Sequence, residues 1–313
     1  APGAPPGVVG TRDQPVAPGQ IADIGGGWRL QVLDVVADGT QMVADENEFN
    51  EPPPPGSAFT IVTVALGYFG LEDPRVGLET TISAVGAGNT ELSSDCGLIP
   101  AELDGFTYIF SGGVVVGNVC FVTNPGDVEV LQLYAVGDAF SDNPEVFLTA
   151  AAPATPATAM QGLIGPQDGA ASTPARLSPT PVATPADLGE GWTLSVDGPA
   201  TDITDAVAAE NQFNEPPPDG SRFVGMQVTY AYNGTEVAQP FSVIVNAVGD
   251  SNLQLSGNCG VVPGQLDTFS DVLPGGSVSG TLCFVVPEAD LGSVVLYASA
   301  DVFAENKIMF ATA

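Results

Sequence analysis

Short runs in which apolar and polar residues alternate, bounded by Gly, Pro, Asn and Asp, recur along the whole chain. A period of two is the signature of half-buried β-strands. In the first half it predicts strands over residues 28–36, 59–69, 77–85, 107–110, 114–122, 128–136 and 146–149. In the second half it predicts them over 192–196, 223–232, 241–248, 253–255, 278–286, 294–299 and 307–311. Residues 206–212 are the best short helix candidate. Two sets of seven short strands with turn signals between them predict an all-β protein made of two tandem sandwich domains.

The two sets are copies of one unit. Glu46-Asn47-Glu48-Phe49-Asn50-Glu51-Pro52-Pro53-Pro54 returns 164 residues later as Glu210-Asn211-Gln212-Phe213-Asn214-Glu215-Pro216-Pro217-Pro218. Gly27-Trp28 returns as Gly191-Trp192, and Cys96-Gly97 and Cys120-Phe121 as Cys259-Gly260 and Cys283-Phe284. At the ends, residues 147–150 match residues 310–313. The organisation that follows is an N-terminal extended segment over 1–20, a sandwich over 21–150, a linker over 151–187 and a second sandwich over 188–313. The linker is rich in Pro, Ala and Thr. Such composition favours extended polyproline II, which acts as a semi-stiff spacer and buries no core. Its Thr-Pro clusters are candidate O-glycan sites.

The chain has 313 residues, with 37 acidic and 6 basic side chains, a formal charge of −31 and no histidine. Nucleic-acid phosphates and anionic membranes repel such a protein. The missing histidine removes Ser-His-Asp and Cys-His catalysis. No apolar run reaches the ~18–20 residues of a membrane helix. The start of the chain, Ala-Pro-Gly-Ala-Pro-Pro-Gly, lacks a basic region and an apolar region and reads as a mature N-terminus. Cys96, Cys120, Cys259 and Cys283 form two pairs, each 24 residues apart. An even count with one spacing used twice predicts the disulfides Cys96–Cys120 and Cys259–Cys283 and an oxidising compartment; four buried free thiols are the alternative. Lys307 is the only lysine, so the first domain cannot form a Lys-Asn isopeptide staple.

The order Trp, then Asn-x-Phe-Asn-x-Pro-Pro-Pro-x-Gly-Ser-x-Phe, then Asp95-Cys96-Gly97 (Asn258-Cys259-Gly260 in the second copy), then the run over 274–287 with Pro-Gly-Gly-Ser-Val-Ser-Gly and Cys-Phe resembles a family of bacterial secreted immunoglobulin-like domains of unknown function, which includes the mycobacterial immunoprotective extracellular antigen. The resemblance covers both domains. It implies two tandem immunoglobulin-like β-sandwiches, exported or lipid-anchored, with no catalytic residues. The first copy departs from it with Phe110-Ser-Gly-Gly in place of Leu-Pro-Gly-Gly.

Three groups of candidate site residues stand out. Phe49 and Phe213 either anchor a binding patch or plug the core while their neighbouring Asn residues tie loop backbone. The matched carboxylates Asp38/Asp202, Glu46/Glu210 and Glu51/Glu215 are weak Ca²⁺ candidates, since six to eight converging oxygens are needed. Gly7-Val8-Val9-Gly10 and Gly162-Leu163-Ile164-Gly165 read as apolar self-association tags ahead of each domain. If both tags do one job, Val8 and Val9 reach the second domain of another molecule, as Leu163 and Ile164 reach a domain of their own chain, and a head-to-tail homopolymer results. The expected function is a non-catalytic extracellular subunit of a cell-surface assembly or filament, without cofactors. The alternative is a monomeric secreted or tethered binding protein.

Overall fold

The computed structural model describes residues 3–72, 74–153, 155–300 and 307–313. It divides into two compact units, Ala1–Ala171 and Ser172–Ala313. Both are all-β sandwiches with short helices. The first contains β1 (Ile21–Gly25), β2 (Trp28–Val36), α1 (Thr40–Glu46), β3 (Ala58–Tyr68), β4 (Arg75–Val76), β5 (Thr81–Val85), β6 (Tyr108–Ile109), β7 (Val114–Thr123), β8 (Gln132–Val136) and β9 (Val146–Thr149). One sheet runs β1-β2-β3-β7, the facing one β5-β8-β9, and β4 pairs with β6. The second contains α2 (Thr173–Leu177), β10 (Ala186–Gly189), β11 (Trp192–Val196), β12 (Thr201–Asp202), α3 (Thr204–Glu210), β13 (Ser221–Tyr232), β14 (Ile244–Val248), β15 (Gln254–Leu255), β16 (Ser277–Pro287), β17 (Val295–Ser299) and β18 (Ile308–Ala311). Its larger sheet follows β10-β11-β13-β16 with β12 added on β13, and its other sheet follows β15-β14-β17-β18.

Alternation along the strands sends one side chain in two toward the core. In the second unit Trp192, Leu194 and Val228 from one sheet meet Leu296 and Phe310 from the other. Trp28 and Trp192 are fully buried and lie 5.0 and 4.7 Å from the rings of Tyr68 and Tyr232. The repeated Gly before each Trp has a backbone cause. Gly27 and Gly191 have φ of +85° and +81°, and a Cβ there would come within 2.6 Å of the Gly70 and Gly234 backbone.

Three sequence expectations change. The tryptophan strands are each the second strand of a hairpin, because β1 and β10 precede them. The helix expected at 206–212 is α3, and it has a partner in α1. The C-terminal match moves by one residue. Val16 bonds Phe147 and Thr149, whereas Thr180 bonds Met309 and Ala311. Leu148 and Phe310 are therefore the equivalent core residues, opposite Leu133 and Leu296. A one-residue slip would turn them outward, so packing decides the register.

The linker is also more than a spacer. Residues 158–163 lie on the outer face of β2, β3 and β7. Gln31 donates to the Thr158 carbonyl at 3.2 Å and accepts the Met160 amide at 2.7 Å, and the Leu163 amide donates to Gly112 at 2.8 Å. Met160 is buried with Ala65 and Phe69, and Ile21, Leu33, Val114 and Leu163 pack around them. Further on, Arg176 is buried in the second unit, donating to the Asn252 side chain at 2.6 Å and the Gly249 carbonyl at 2.9 Å. Burial pulls its pKa down to about 10, against the pull of Asp250 and Asp290. A Pro/Ala/Thr segment thus becomes fixed by its few Met, Leu and Arg side chains.

Trp28→Ala or Trp192→Ala leaves a large void under each hairpin. Each should cost about 3–5 kcal/mol in denaturant unfolding of its own unit, with little effect on the other unit.

Candidate functional site

The site sits at the loop end of each unit, where the triproline run leaves α1 or α3. Each helix is held by one buried valine, Val43 or Val207. Thr40 and Thr204 also accept the amides of Phe59 and Phe223 on the next strand, at 3.2 and 3.0 Å. Prolines supply no amide for a ladder, so the run cannot join a sheet and crosses the end as a loop.

One asparagine in each loop does most of the fixing. The Asn50 side chain donates to the carbonyls of Val43 and Leu98, each at 2.7 Å, and accepts the Leu98 amide at 2.9 Å. Asn214 does the same to Val207, Val261 and the Val261 amide at 2.7, 2.8 and 2.8 Å. Gly97 and Gly260 make room for it, since a Cβ there would lie 2.3 or 2.4 Å from the asparagine Oδ1. The loop so clamped is anchored to the long strand by Cys96–Cys120 and Cys259–Cys283, with Cα separations of 6.3 and 6.2 Å. Asn47 and Asn211 accept the amides of Phe49 and Phe213 at 3.2 and 3.0 Å.

These bonds hold both phenylalanines in solvent. Phe49 is 83% exposed and Phe213 81%. The expectation that they plug the core is overturned, while the expectation that Asn ties loop backbone describes Asn50 and Asn214. Beside Phe49 lies a groove of about 680 Å³ lined by Glu51, Pro52, Pro54, Ser93, Asp95 and the disulfide. Beside Phe213 lies the same groove, about 430 Å³, lined by Glu215, Pro216, Pro218, Ser256, Asn258 and Cys259. Each combines an apolar ring, rigid prolines and hydrogen-bonding side chains.

The six carboxylates proposed for Ca²⁺ are not brought together as a set. Asp38 and Asp202 accept the amides of Thr40 and Thr204 at 3.1 and 2.9 Å, while Glu46, Glu51, Glu210 and Glu215 are exposed. No group of three or more His, Cys, Asp or Glu among the described residues could hold a metal ion. The two tags are held in different ways, and Leu163 reaches a domain of its own chain as expected. Val8 pairs in parallel with Ala22 of its own chain, and Val8 and Val9 are 48% and 67% exposed. Leu163 packs on the outer sheet face described above, and Ile164 is exposed. The two segments are not equivalent in the fold.

A second repeated turn escaped the sequence reading. Asp104 and Asp267 accept the amides of Phe106 and Thr107, and of Phe269 and Ser270. They hold Phe106 and Phe269 exposed, and Phe269 stacks on Phe241 at 5.8 Å. The signal was present as Asp-x-Phe-Thr and Asp-x-Phe-Ser, 163 residues apart.

No protein-family model matches the chain, and no curated protein matches it. Among solved structures it is similar to a conserved hypothetical protein from Bacillus anthracis, at 12% identity over 42% of this chain and 95% of that one, with a TM-score of 0.27. It is also similar to an uncharacterized beta-sandwich protein from Clostridium difficile 630, at 9% identity over 42% and 93%, with a TM-score of 0.28. Two disulfides, and no helix among the described residues long and apolar enough to cross a membrane, are consistent with an extracellular protein.

Asn50→Ala or Asn214→Ala should cost about 1–3 kcal/mol, because each removes three hydrogen bonds to partly buried and exposed loop backbone, worth roughly 0.5–1.5 kcal/mol apiece at most. Amide exchange should rise at Leu98 or Val261, with the disulfides still formed.

Acid should loosen the turn at Asp104 in the first unit and the start of α3 at Asp202 in the second. Burial raises the Asp104 carboxyl pKa, but the Thr107 hydroxyl and the amides of Phe106 and Thr107 together hold it below the usual range. Asp202 is lowered by the amide and hydroxyl of Thr204, with a smaller pull from Arg222. A depressed carboxyl stabilises the fold above its unfolded pKa of about 4 and loses that contribution as pH falls through the lower folded value. Stability should therefore drop below about pH 4. Asp104→Asn and Asp202→Asn should flatten that drop in pH-dependent unfolding.

Proposed function

We propose that this chain is a non-catalytic extracellular binding protein that presents one glycan-binding platform twice. The observation that carries the reading is the pair of phenylalanines held in solvent by the same asparagine bonds in both units. An exposed ring can stack on the apolar face of a sugar, and Glu51, Asp95, Glu215 and Asn258 beside it offer acceptors and an amide for hydroxyl groups. The charge of −31 favours neutral or basic glycans over acidic ones. Export or anchoring is supported by the two disulfides and by the resemblance to secreted immunoglobulin-like domains. The filament reading draws less support, because the N-terminal tag and the linker lie on their own unit.

A glycan array probed with wild type, Phe49→Ser, Phe213→Ser and the double variant tests this. Wild type should be retained on neutral glycans, each single variant should lose about 10–100-fold through lost bivalency, and the double variant should not bind. Equal retention of wild type and double variant would overturn the reading. So would retention on no glycan, or sedimentation as a filament instead of a 31.7 kDa monomer.

A further inference from the structure

Both units begin with the same hairpin, yet their outer edges end differently. In the first unit the edge of β1 is covered. The Val8 amide donates to the Ile21 carbonyl, and the Asp23 amide donates to Val8, both at 2.9 Å. Beneath this contact Ala22 is fully buried. The register of β10 on β11 repeats that of β1 on β2, with Ala186 opposite Leu194 as Ala22 is opposite Leu30. The Pro185 carbonyl and Asp187 amide therefore point outward, as those of Ile21 and Asp23 do. β10 is the last strand of its sheet, and no bridge among the described residues covers its outer side. Ala186 is half-buried where Ala22 is buried, and Asp187 is exposed where Asp23 is half-buried.

The charge differs as well. Arg29 pairs with Asp23 at 2.7 Å, and its place in the second unit is taken by Thr193. Asp187 has only the amide of Gly189, in its own turn, as a hydrogen-bond donor among the described residues.

We infer that the outer edge of β10 is a docking site for an extended, basic segment of a partner polypeptide, which adds as a short parallel strand. Open strand edges are ready-made templates for such addition. The chain itself shows the form of the occupant, since Gly7-Val8-Val9-Gly10 fills the equivalent edge with small and β-branched residues between glycines. In that parallel register the residue after Val8 falls opposite the acidic residue of the edge, on the same face of the sheet. A basic side chain there would pair with Asp187. The site is separate from the phenylalanine platforms, so the two readings stand or fall independently.

The test uses the full chain and a synthetic peptide of residues 5–11, alone and with Val9→Lys. Amide exchange is followed residue by residue. The peptide at millimolar concentration should slow exchange at Asp187 at least tenfold and leave Asp23 unchanged. The Val9→Lys peptide should bind several-fold more tightly at low salt, an advantage that fades at high salt and in Asp187→Asn. Asp187→Pro removes the outward amide and should abolish binding of the peptides, followed by fluorescence anisotropy of a labelled peptide rather than by amide exchange; native near-UV circular dichroism checks that this variant stays folded. Three results would overturn the inference: an Asp187 amide as protected in the free chain as Asp23, no response to either peptide, or equal binding of the two peptides at low salt.

Discussion

The loop end of each unit hangs from one long antiparallel strand pair. β3 and β7 match from Ala58 opposite Thr123 to Gly67 opposite Val114, and β13 and β16 match from Ser221 opposite Pro287 to Ala231 opposite Ser277. The ladder sets the height at which Cys120 and Cys283 stand. Each cysteine ties a loop to the ladder, and that loop gives the asparagine its second partner. The helix, the triproline run and the exposed ring follow in turn. Removing the ladder would remove every later step, whereas removing the ring would leave the ladder intact. Stability and surface presentation are separable in this design.

The two copies agree at the loop end and differ on the outer sheet face. In the first unit Leu33, Ala65, Phe69 and Val114 make that face apolar. The matched positions in the second are Asp197, Thr229, Asn233 and Ser277. There Asp197 accepts the hydroxyls of Ser195 and Thr229, which also bonds Ser279. An apolar face left bare costs roughly 25 cal/mol per Å², so the first unit needs a cover and the second does not. Residues 158–163 provide that cover within the same chain.

Much of this was legible in the sequence, and the reasons for the rest are physical. The strands at 146–149 and 192–196 were bounded correctly, because Gly, Pro and charged residues frame clean alternation. β1 was missed since its five residues run into Gly25-Gly26-Gly27, which reads as a turn. α1 was missed where α3 was not because each buries a single valine and neither has a stripe, while Thr204–Glu210 carries three alanines and Thr40–Glu46 only one, so only the second copy reads as a good helix former. The linker was misread because composition averages over residues, whereas Gln31, Met160 and Arg176 act singly. Of the two readings open for Phe49 and Phe213, the core plug follows the usual rule that aromatic residues bury, and the exposed anchor departs from it. An exposed large apolar group is the informative exception to that rule.

That exception carries a cost that the fold does not recover by itself. Leaving a phenylalanine in water forgoes roughly 1.5–3 kcal/mol relative to burying it. Both units accept this cost at the same position, and both use an Asn side chain packed closely on a glycine to keep the loop in place. A loop that served only to cross the end of the sandwich would be as well served by a polar residue there. Rigidity matters to an exposed ring only when something lands on it, because a loop already ordered loses little entropy on contact. The hydrogen bonds that look like structural housekeeping are thus what lends the proposed binding platform its main support.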